Sequence, residues 1–149
     1  MARIQLECII FRRDNNIEYL LLKRTPEKGG FWQPVAGGLE LNESRLEGVF
    51  REIAEETGIR REDILRVIPE VFYFEMNRHY LTGEPIPLIK EYVYGVEVRP
   101  TARVNIHDNL SREHTEYAWV SYEDALRMLK WDDNINALRA LHILLIRTF

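Results

Sequence analysis

Three glutamate residues in the first half of the 149-residue chain are spaced to share one face of a helix. On a helical wheel, Glu52, Glu55 and Glu56 fall within an arc of roughly 100°. Because like charges at this spacing repel each other, a helix that carries them is typically neutralised by a cation. Oxygen ligands without cysteine or histidine favour a hard ion, Mg²⁺ or Mn²⁺. The alternative is a solvated acidic face, the usual environment of glutamates on a helix.

The residues beside this cluster favour the cation site over the solvated face. Gly37 and Gly38 precede the helix and let the backbone approach a ligand closely. Arg51 comes one residue before Glu52 and four before Glu55, so its guanidinium can orient or balance a carboxylate. The segment therefore predicts a loop and a helix that hold a divalent ion together.

The elements that must position these residues are predicted from the spacing of the hydrophobic residues. A helix is expected over 44–57, because Ser44 and Glu47 form a capping-box pattern and Gly58 is a stop signal. The remaining apolar runs predict strands over 3–11, 17–23, 31–36, 66–75, 88–98 and 116–121, loops over 24–30, 76–87 and 99–112, and helices over 122–130 and 133–147. This order of elements indicates an α/β sandwich with a mixed β-sheet.

The composition is typical of one soluble globular domain that covers residues 1–149. Hydrophobic residues make up 46% of the chain, charged residues 30%, and the net charge is −4. An acidic surface repels phosphate backbones, so long nucleic acids are not expected as partners. The single cysteine, Cys8, excludes an internal disulfide and is expected to be buried in a strand. Neither a secretory signal nor a membrane span is indicated, so we expect a cytoplasmic protein with no membrane partner.

The segment GGLELNESRLEGVFREIAEETGI, residues 37–59, resembles the Nudix box, the signature of the Nudix hydrolase family. Every fixed position of that signature is matched, by Gly37, Glu43, Arg51, Glu52, Ile53, Glu55, Glu56, Gly58 and Ile59. The resemblance implies the Nudix α/β/α sandwich. It also implies an enzyme that hydrolyses a nucleoside diphosphate linked to another moiety.

The same resemblance implies roles for the residues of the box. Glu52, Glu55 and Glu56 match the divalent-metal ligands, and the carbonyl of Gly37 matches a further common ligand. Arg51 matches the residue that orients the first of these glutamates. Glu43 supports the loop, while Gly38 and Gly58 belong to the structural part of the motif. Whether Glu52 is the base for the attacking water or only a metal ligand is left open, since family members differ.

A second stretch, residues 110–138, resembles a Nudix subgroup that includes dATP and dihydroneopterin triphosphate pyrophosphohydrolases, as does the run FWQPVAGG before the box. By this resemblance, Glu113 is a further metal ligand or an alternative catalytic base. The alternative is a surface loop glutamate. For the neighbouring His114 we favour a structural or orienting role over catalysis.

Five residues outside the box are candidates for substrate contact. Trp32 and Trp131 can stack on a base, and Gln33 and Asn134 can read its edge. Arg24 ends a strand near the expected pocket and can hold a phosphate. The alternatives are core packing for the two tryptophans and a solvated position for the arginine.

The sequence therefore predicts a Mg²⁺-dependent pyrophosphohydrolase that cleaves a nucleoside or pterin triphosphate to the monophosphate and pyrophosphate. Hydrolases of ADP-ribose, nucleotide sugars or dinucleoside polyphosphates are the alternative. Their marker positions downstream of the box hold Phe74 and Met76 in place of proline and tyrosine, although Pro69 and Tyr73 lie near. A non-catalytic nucleotide sensor is less favoured, because it has no need of all the glutamates. Whether the chain forms a homodimer is left open, because the sequence carries no signal of an interface.

Overall fold

The computed structural model describes residues 2–107 and 113–147. In these ranges the chain forms seven strands, three α-helices and two short 3₁₀ turns, Pro26–Lys28 and Arg61–Asp63. The strands are β1 (Arg3–Arg13), β2 (Ile17–Arg24), β3 (Trp32–Gln33), β4 (Val35–Gly38), β5 (Ile64–Arg78), β6 (Pro85–Val98) and β7 (His114–Val120). The helices are α1 (Arg45–Thr57), α2 (Tyr122–Met128) and α3 (Asp132–Arg147). None of these helices has both the length and the apolar character that crossing a membrane requires.

The strands form one mixed sheet centred on β1. Its order is β3-β2-β1-β6-β5, and in addition β4 pairs with β1 and β7 pairs with β2. The β1–β6 pair is parallel and the other pairs are antiparallel. In this register Leu6 of β1 faces Gly37 of β4, so the glycine-containing end of β4 lies beside the centre of the sheet.

Apolar residues cover both faces of the sheet, because successive side chains of a strand point to opposite faces. On one face, Leu6 and Ile10 of β1 join Val49 and Ile53 of α1 in a buried cluster. On the other face, Ile9 and Phe11 pack in a second cluster that holds the apolar side of α3. The helices therefore sandwich the sheet, which confirms the predicted α/β/α architecture.

Helix α1 has the predicted ends and lies very close to the sheet. Ser44 and Glu47 form the capping box, and Gly58 ends the helix with a left-handed φ of 73°. At Gly48, an added Cβ would lie 2.6 Å from a methyl group of Leu6. Since real Cβ atoms do not approach so closely, any side chain at position 48 would force Leu6 to move where α1 crosses β1.

The predicted loop over 76–87 and the predicted strand over 31–36 differ from the structure, the first because pairing across the sheet overrides local signals. The loop expected over 76–87 is shorter, since Met76 pairs with Ile89 and Arg78 pairs with Pro85. The single strand expected over 31–36 is divided at Pro34, which lacks an N–H group for the ladder, into β3 and β4. Residues 108–112 of the predicted loop over 99–112 lie outside the described residues.

Candidate active site

Arg51 is the centre of the charge network on α1. Its Nε and Nη2 atoms donate to the two carboxylate oxygens of Glu43 at 2.6 and 2.9 Å. Nη2 also donates to the carbonyl oxygen of Gly38 at 2.9 Å. The hydrogen bonds from Arg51 hold the pKa of Glu43 below its usual range. The guanidinium thus ties the end of β4 and the loop before α1 to the helix.

The third guanidinium nitrogen of Arg51 reaches the glutamates of the cluster. Nη1 donates to Glu52 at 2.8 Å and to Glu55 at 3.1 Å. Glu52 is buried, whereas the side chain of Glu55 is 54% exposed. A Cβ added to Gly37 would lie 2.1 Å from Oε2 of Glu52, so this carboxylate lies directly on the backbone of β4. Only glycine at position 37 leaves room for it.

Glu56, Glu113 and His114 form a second group beside Glu52. One ligand atom from each of the three lies within 4.8 Å of the others. Burial and then the neighbouring Glu52 raise the pKa of Glu56. Burial and then Arg24 and Lys28 lower the pKa of His114 to about 4, so its imidazole is neutral at pH 7. The 3.7 Å contact between His114 and Glu56 is therefore not an ion pair.

This group fits a divalent cation by the chemistry of its donor atoms. Within the described residues, Oε1 of Glu56 is buried and has no hydrogen-bond partner, and the same holds for Nδ1 of His114. An unsatisfied buried carboxylate oxygen is costly unless it is paired or coordinates a metal. Glu52, Glu55 and Glu113 line the same cavity and supply further carboxylate oxygens, the ligands that Mg²⁺ prefers.

The cavity next to the glutamates has a volume of about 1070 Å³ and carries positive charge on its other walls. Arg3, Arg24, Lys28 and Arg78 line it. Lys28 lies 3.7 Å from Glu113. Negative groups that bind a cation and positive groups that bind an anion thus share one cavity, an arrangement suited to a polyphosphate.

A smaller cavity of about 370 Å³ continues from this one, and we refer to the two together as the cleft. Arg24, Arg78 and Tyr80 line both of them. The smaller cavity has aromatic walls, since Phe31 lies edge-on to Trp131 at 5.4 Å and to Tyr80 at 5.6 Å between ring centroids. The cleft therefore has a charged end and an aromatic end.

Four of the five predicted substrate contacts lie in the cleft. Arg24 lines both cavities, and Gln33, Trp131 and Asn134 line the smaller one. The amide nitrogen of Asn134 already donates to Glu7 at 2.6 Å, so this group is engaged within the protein. Gln33 lies 3.4 Å from His114.

Trp32 lines neither cavity, contrary to the expected substrate contact. Its ring packs on the buried cluster under α2 and α3, and its backbone bridges to Leu129. The physical reason is the alternation of side chains along β3, which turns Trp32 away from the cleft and its neighbours Phe31 and Gln33 toward it. The core-packing alternative describes its position.

Several lining residues were missed by sequence reasoning. Phe31 could have been found from the same alternation that excludes Trp32. Glu7 carried a signal as well, since it is an acidic residue inside an otherwise apolar strand. Arg3 and Tyr80 carried none, because only the pairing of distant strands brings them to the cleft.

Known proteins resemble this chain over most of its length. The sequence profile of the NUDIX domain matches residues 3–141. An octanoyltransferase from Myxococcus xanthus is 35% identical over 123 residues, which cover 81% of this chain but only 31% of that protein. An asymmetrical bis(5'-nucleosyl)-tetraphosphatase from Mus musculus is 32% identical over 148 residues, which cover 94% of this chain and 93% of that protein.

Solved structures show the same fold. A NUDIX hydrolase from Listeria monocytogenes has a TM-score of 0.80 at 29% identity and covers 97% of this chain and 94% of its own. The dihydroneopterin triphosphate pyrophosphohydrolase of E. coli has a TM-score of 0.69 at 22% identity, covering 91% and 92% of the two chains. At that identity the second likeness concerns the fold alone.

Proposed function

Because this chain belongs to the Nudix hydrolases, which act on nucleotide phosphoanhydrides, we propose that it is a Mg²⁺-dependent pyrophosphohydrolase. The proposed substrate is a nucleoside or pterin triphosphate, cleaved to the monophosphate and pyrophosphate. Water attacks one phosphorus, and the bridging P–O bond on that phosphorus breaks.

One observation carries the proposal. The buried Oε1 of Glu56 has no hydrogen-bond partner among residues 2–107 and 113–147, and Glu56 lies among carboxylates in a cavity that four cationic side chains also line. A carboxylate cluster alone would repel a polyphosphate, and binding of an anion by cationic side chains alone does not explain the buried glutamates. Together they suit a metal-bound polyphosphate.

The glutamates and Gly37 are assigned to the cation. Glu52, Glu55, Glu56 and Glu113 would hold it, with the carbonyl oxygen of Gly37 as a further ligand. When bound, Mg²⁺ neutralises charge on the phosphate oxygens and lowers the pKa of a water molecule. Mn²⁺ fits the same oxygen ligands.

The other residues of the site position groups or move a proton. Arg51 holds Glu52 and Glu55 by two hydrogen bonds from one nitrogen, so it is a positioning residue. Either Glu52 or Glu113 accepts the proton of the attacking water. Arg24, with Arg3 and Arg78, binds the phosphate oxygens, while Trp131 and Phe31 provide the aromatic surface for the base.

The test is a substrate screen with identification of the products. The purified chain is incubated in Mg²⁺ with nucleoside, deoxynucleoside and dihydroneopterin triphosphates, and pyrophosphate and orthophosphate are measured separately. We expect pyrophosphate from at least one triphosphate and loss of activity on chelation. Release of orthophosphate alone, or unchanged turnover in excess chelator, would overturn the proposal.

A second candidate is an asymmetrical dinucleoside tetraphosphatase. It is favoured by the 32% identity to the mouse enzyme, which spans nearly the whole of both chains. Met76 stands at the position where dinucleoside polyphosphate hydrolases are expected to carry a tyrosine. Because Met76 lines both cavities, this chain departs from their pattern within the cleft itself. A dinucleoside tetraphosphate in the same screen separates the two, because it would yield a nucleoside triphosphate and a monophosphate instead of pyrophosphate.

A further inference from the structure

Two buried carboxyl groups lie in the aromatic end of the cleft, away from the proposed metal ligands. Glu7 of β1 is 0% exposed and Glu91 of β6 is 3% exposed. Gln5 pairs with Glu91, and Glu7 follows two residues later on the same face of the sheet. Both carboxyls line the smaller cavity.

These carboxyls are not explained by the packing of the fold. Oε1 of Glu7 accepts a hydrogen bond from Asn134 at 2.6 Å. Oε2 of Glu7 and Oε1 of Glu91 are buried and, within the described ranges 2–107 and 113–147, have no hydrogen-bond partner beyond the neighbouring carboxyl of the pair. No arginine or lysine of those ranges forms an ion pair with either group. A buried acceptor without a donor costs stability, so such a pair is expected to serve a ligand.

The charge of the pair is limited by its surroundings. Burial, and then the adjacent Glu91 carboxyl, raises the pKa of Glu7. Burial raises the pKa of Glu91 to about 7. The pair therefore does not carry two full negative charges at neutral pH, and a neutral ligand with N–H donors can satisfy it.

The walls around the pair define the shape of that ligand. Phe31 and Trp131 provide aromatic surfaces suited to a planar ring. Arg24 and Arg78 connect this cavity to the one that holds the proposed metal ligands. A ring bound here can thus carry its phosphate chain into the charged end of the cleft.

We propose that Glu7 and Glu91 select a base whose edge presents a ring N–H beside an exocyclic amino group, the edge shared by guanine and pterin. Two adjacent donors match carboxylate oxygens in a bidentate arrangement. Adenine presents an amino donor beside a ring nitrogen acceptor, so one lone pair would face a carboxylate oxygen. This inference rests on the proposed function and specifies its substrate class.

The experiment compares bases that differ only at this edge. We measure kcat/KM for GTP, ITP and ATP in Mg²⁺, because inosine keeps the ring N–H but lacks the exocyclic amino group. We expect kcat/KM for GTP to exceed that for ITP by about tenfold, the effect of one good hydrogen-bonded contact to the edge of a base. ATP is expected to fall below ITP.

The variant Glu91→Gln tests the residue directly. An amide offers one donor and one acceptor, which suits the adenine edge, so we expect the GTP-to-ATP ratio to fall by about tenfold. Glu97→Gln is the matched control, because Glu97 lies on the same strand, pairs with Arg66 and lines neither cavity. We expect it to leave the ratio unchanged. If Glu91→Gln does not fold, the GTP and ITP comparison on the unaltered chain still decides.

Binding of monophosphates separates this inference from the proposed function. Affinities for GMP, IMP and AMP are measured by calorimetry and need no turnover. If no triphosphate is hydrolysed, the proposed function fails, but tighter binding of GMP than of IMP and AMP would still support the base selection. Values within twofold of each other for all three bases, in turnover or in binding, would overturn it. So would an equal loss for all three bases in Glu91→Gln.

Discussion

The buried carboxylates at the two ends of the cleft differ in their hydrogen-bond and charge partners. At the charged end, Glu52 is hydrogen-bonded by Arg51, and within the described residues Glu56 retains a buried carboxylate oxygen without a hydrogen-bond partner. At the aromatic end, Glu7 and Glu91 have no cationic partner in the described part of the chain. The first arrangement suits a hard cation, and the second suits a neutral donor group. The same residue type is thus directed to different ligands by its neighbours.

The largest effect is expected at the charged end. Glu52→Gln and Glu56→Gln remove a negative charge and a proposed metal ligand, so kcat should fall by about 10²- to 10⁴-fold. Initial rates and calorimetric Mn²⁺ binding provide the measurement. Glu47→Gln is the control on the same helix, since glutamine also satisfies a capping box. Rates within about threefold of the unaltered chain in Glu52→Gln would contradict the assignment.

A smaller effect should come from the backbone beneath Glu52. In Gly37→Ala the new Cβ would fall 2.1 Å from the Glu52 carboxylate, which must then move, and such a displacement costs about 10²-fold in kcat. In the matched variant Gly38→Ala, the new Cβ meets the flexible end of Arg3 at 2.8 Å. We expect Gly38→Ala to retain most of its kcat and to raise KM, because Arg3, which must shift, is one of the proposed phosphate-binding residues. Equal losses in the two variants would show that general strain in β4, not the position of Glu52, is responsible.

The aromatic end is tested by two neighbouring tryptophans of different environment. Trp131→Leu removes a ring that lines the smaller cavity, so KM should rise by about fivefold or more, as expected for loss of stacking on a base. Trp32→Leu removes a ring that faces the core and should lower thermal stability with little change in KM. Steady-state kinetics and thermal unfolding monitored by circular dichroism measure both. A raised KM in Trp32→Leu but not in Trp131→Leu would show that Trp32, and not Trp131, contacts the base.

The smallest effect concerns the dependence of stability on pH, and it contrasts a carboxyl held by Arg51 with a carboxyl of the aromatic end. The pKa of Glu43 is lowered in the fold by Arg51, so its stabilising contribution is present near neutral pH and is lost as the pH falls through the folded pKa. The pKa of Glu91 is raised to about 7, so its contribution is full at acid pH and is lost as the pH rises toward 7.

Urea unfolding at a series of pH values from about 4 to about 8 measures these opposite trends, because this range includes the usual pKa values of carboxyl groups and neutral pH. Relative to the unaltered chain, Glu91→Gln should gain stability as the pH rises, and Glu43→Gln should lose stability as the pH rises. Two variants whose stability differences do not change with pH would show that neither carboxyl has a shifted pKa.

The glutamate helix of the charged end could be predicted from the sequence because its residues are near one another in the chain. The spacing of Glu52, Glu55 and Glu56 and the ends of α1 depend on local helix geometry, and the structure reproduces the predicted helix. The mixed sheet between helices was also predicted correctly. The positions of Glu52 and Arg51 relative to each other follow from the same helix.

The aromatic end depends on contacts between distant segments, which no local pattern specifies. Glu7 and Glu91 meet because β1 and β6 are parallel neighbours, and Asn134 reaches them from α3. Trp32 was assigned to the cleft because its residue type suits stacking, but the direction of a side chain on a two-residue strand is set by register. Residue type therefore predicted Gln33, Trp131 and Asn134 at this end, but it misplaced Trp32 and missed Glu7 and Glu91.

The proposed cation ligands come from separate parts of the chain, and this has a thermodynamic consequence. Glu52 and Glu56 belong to α1, Gly37 to β4, and Glu113 precedes β7. An unfolded chain does not hold these groups together, so a cation that they bind is a ligand of the native state alone. By mass action such a ligand raises the free energy of unfolding in proportion to the logarithm of its free concentration once the site is saturated. The melting temperature of this protein should therefore act as a titratable readout of its metal supply.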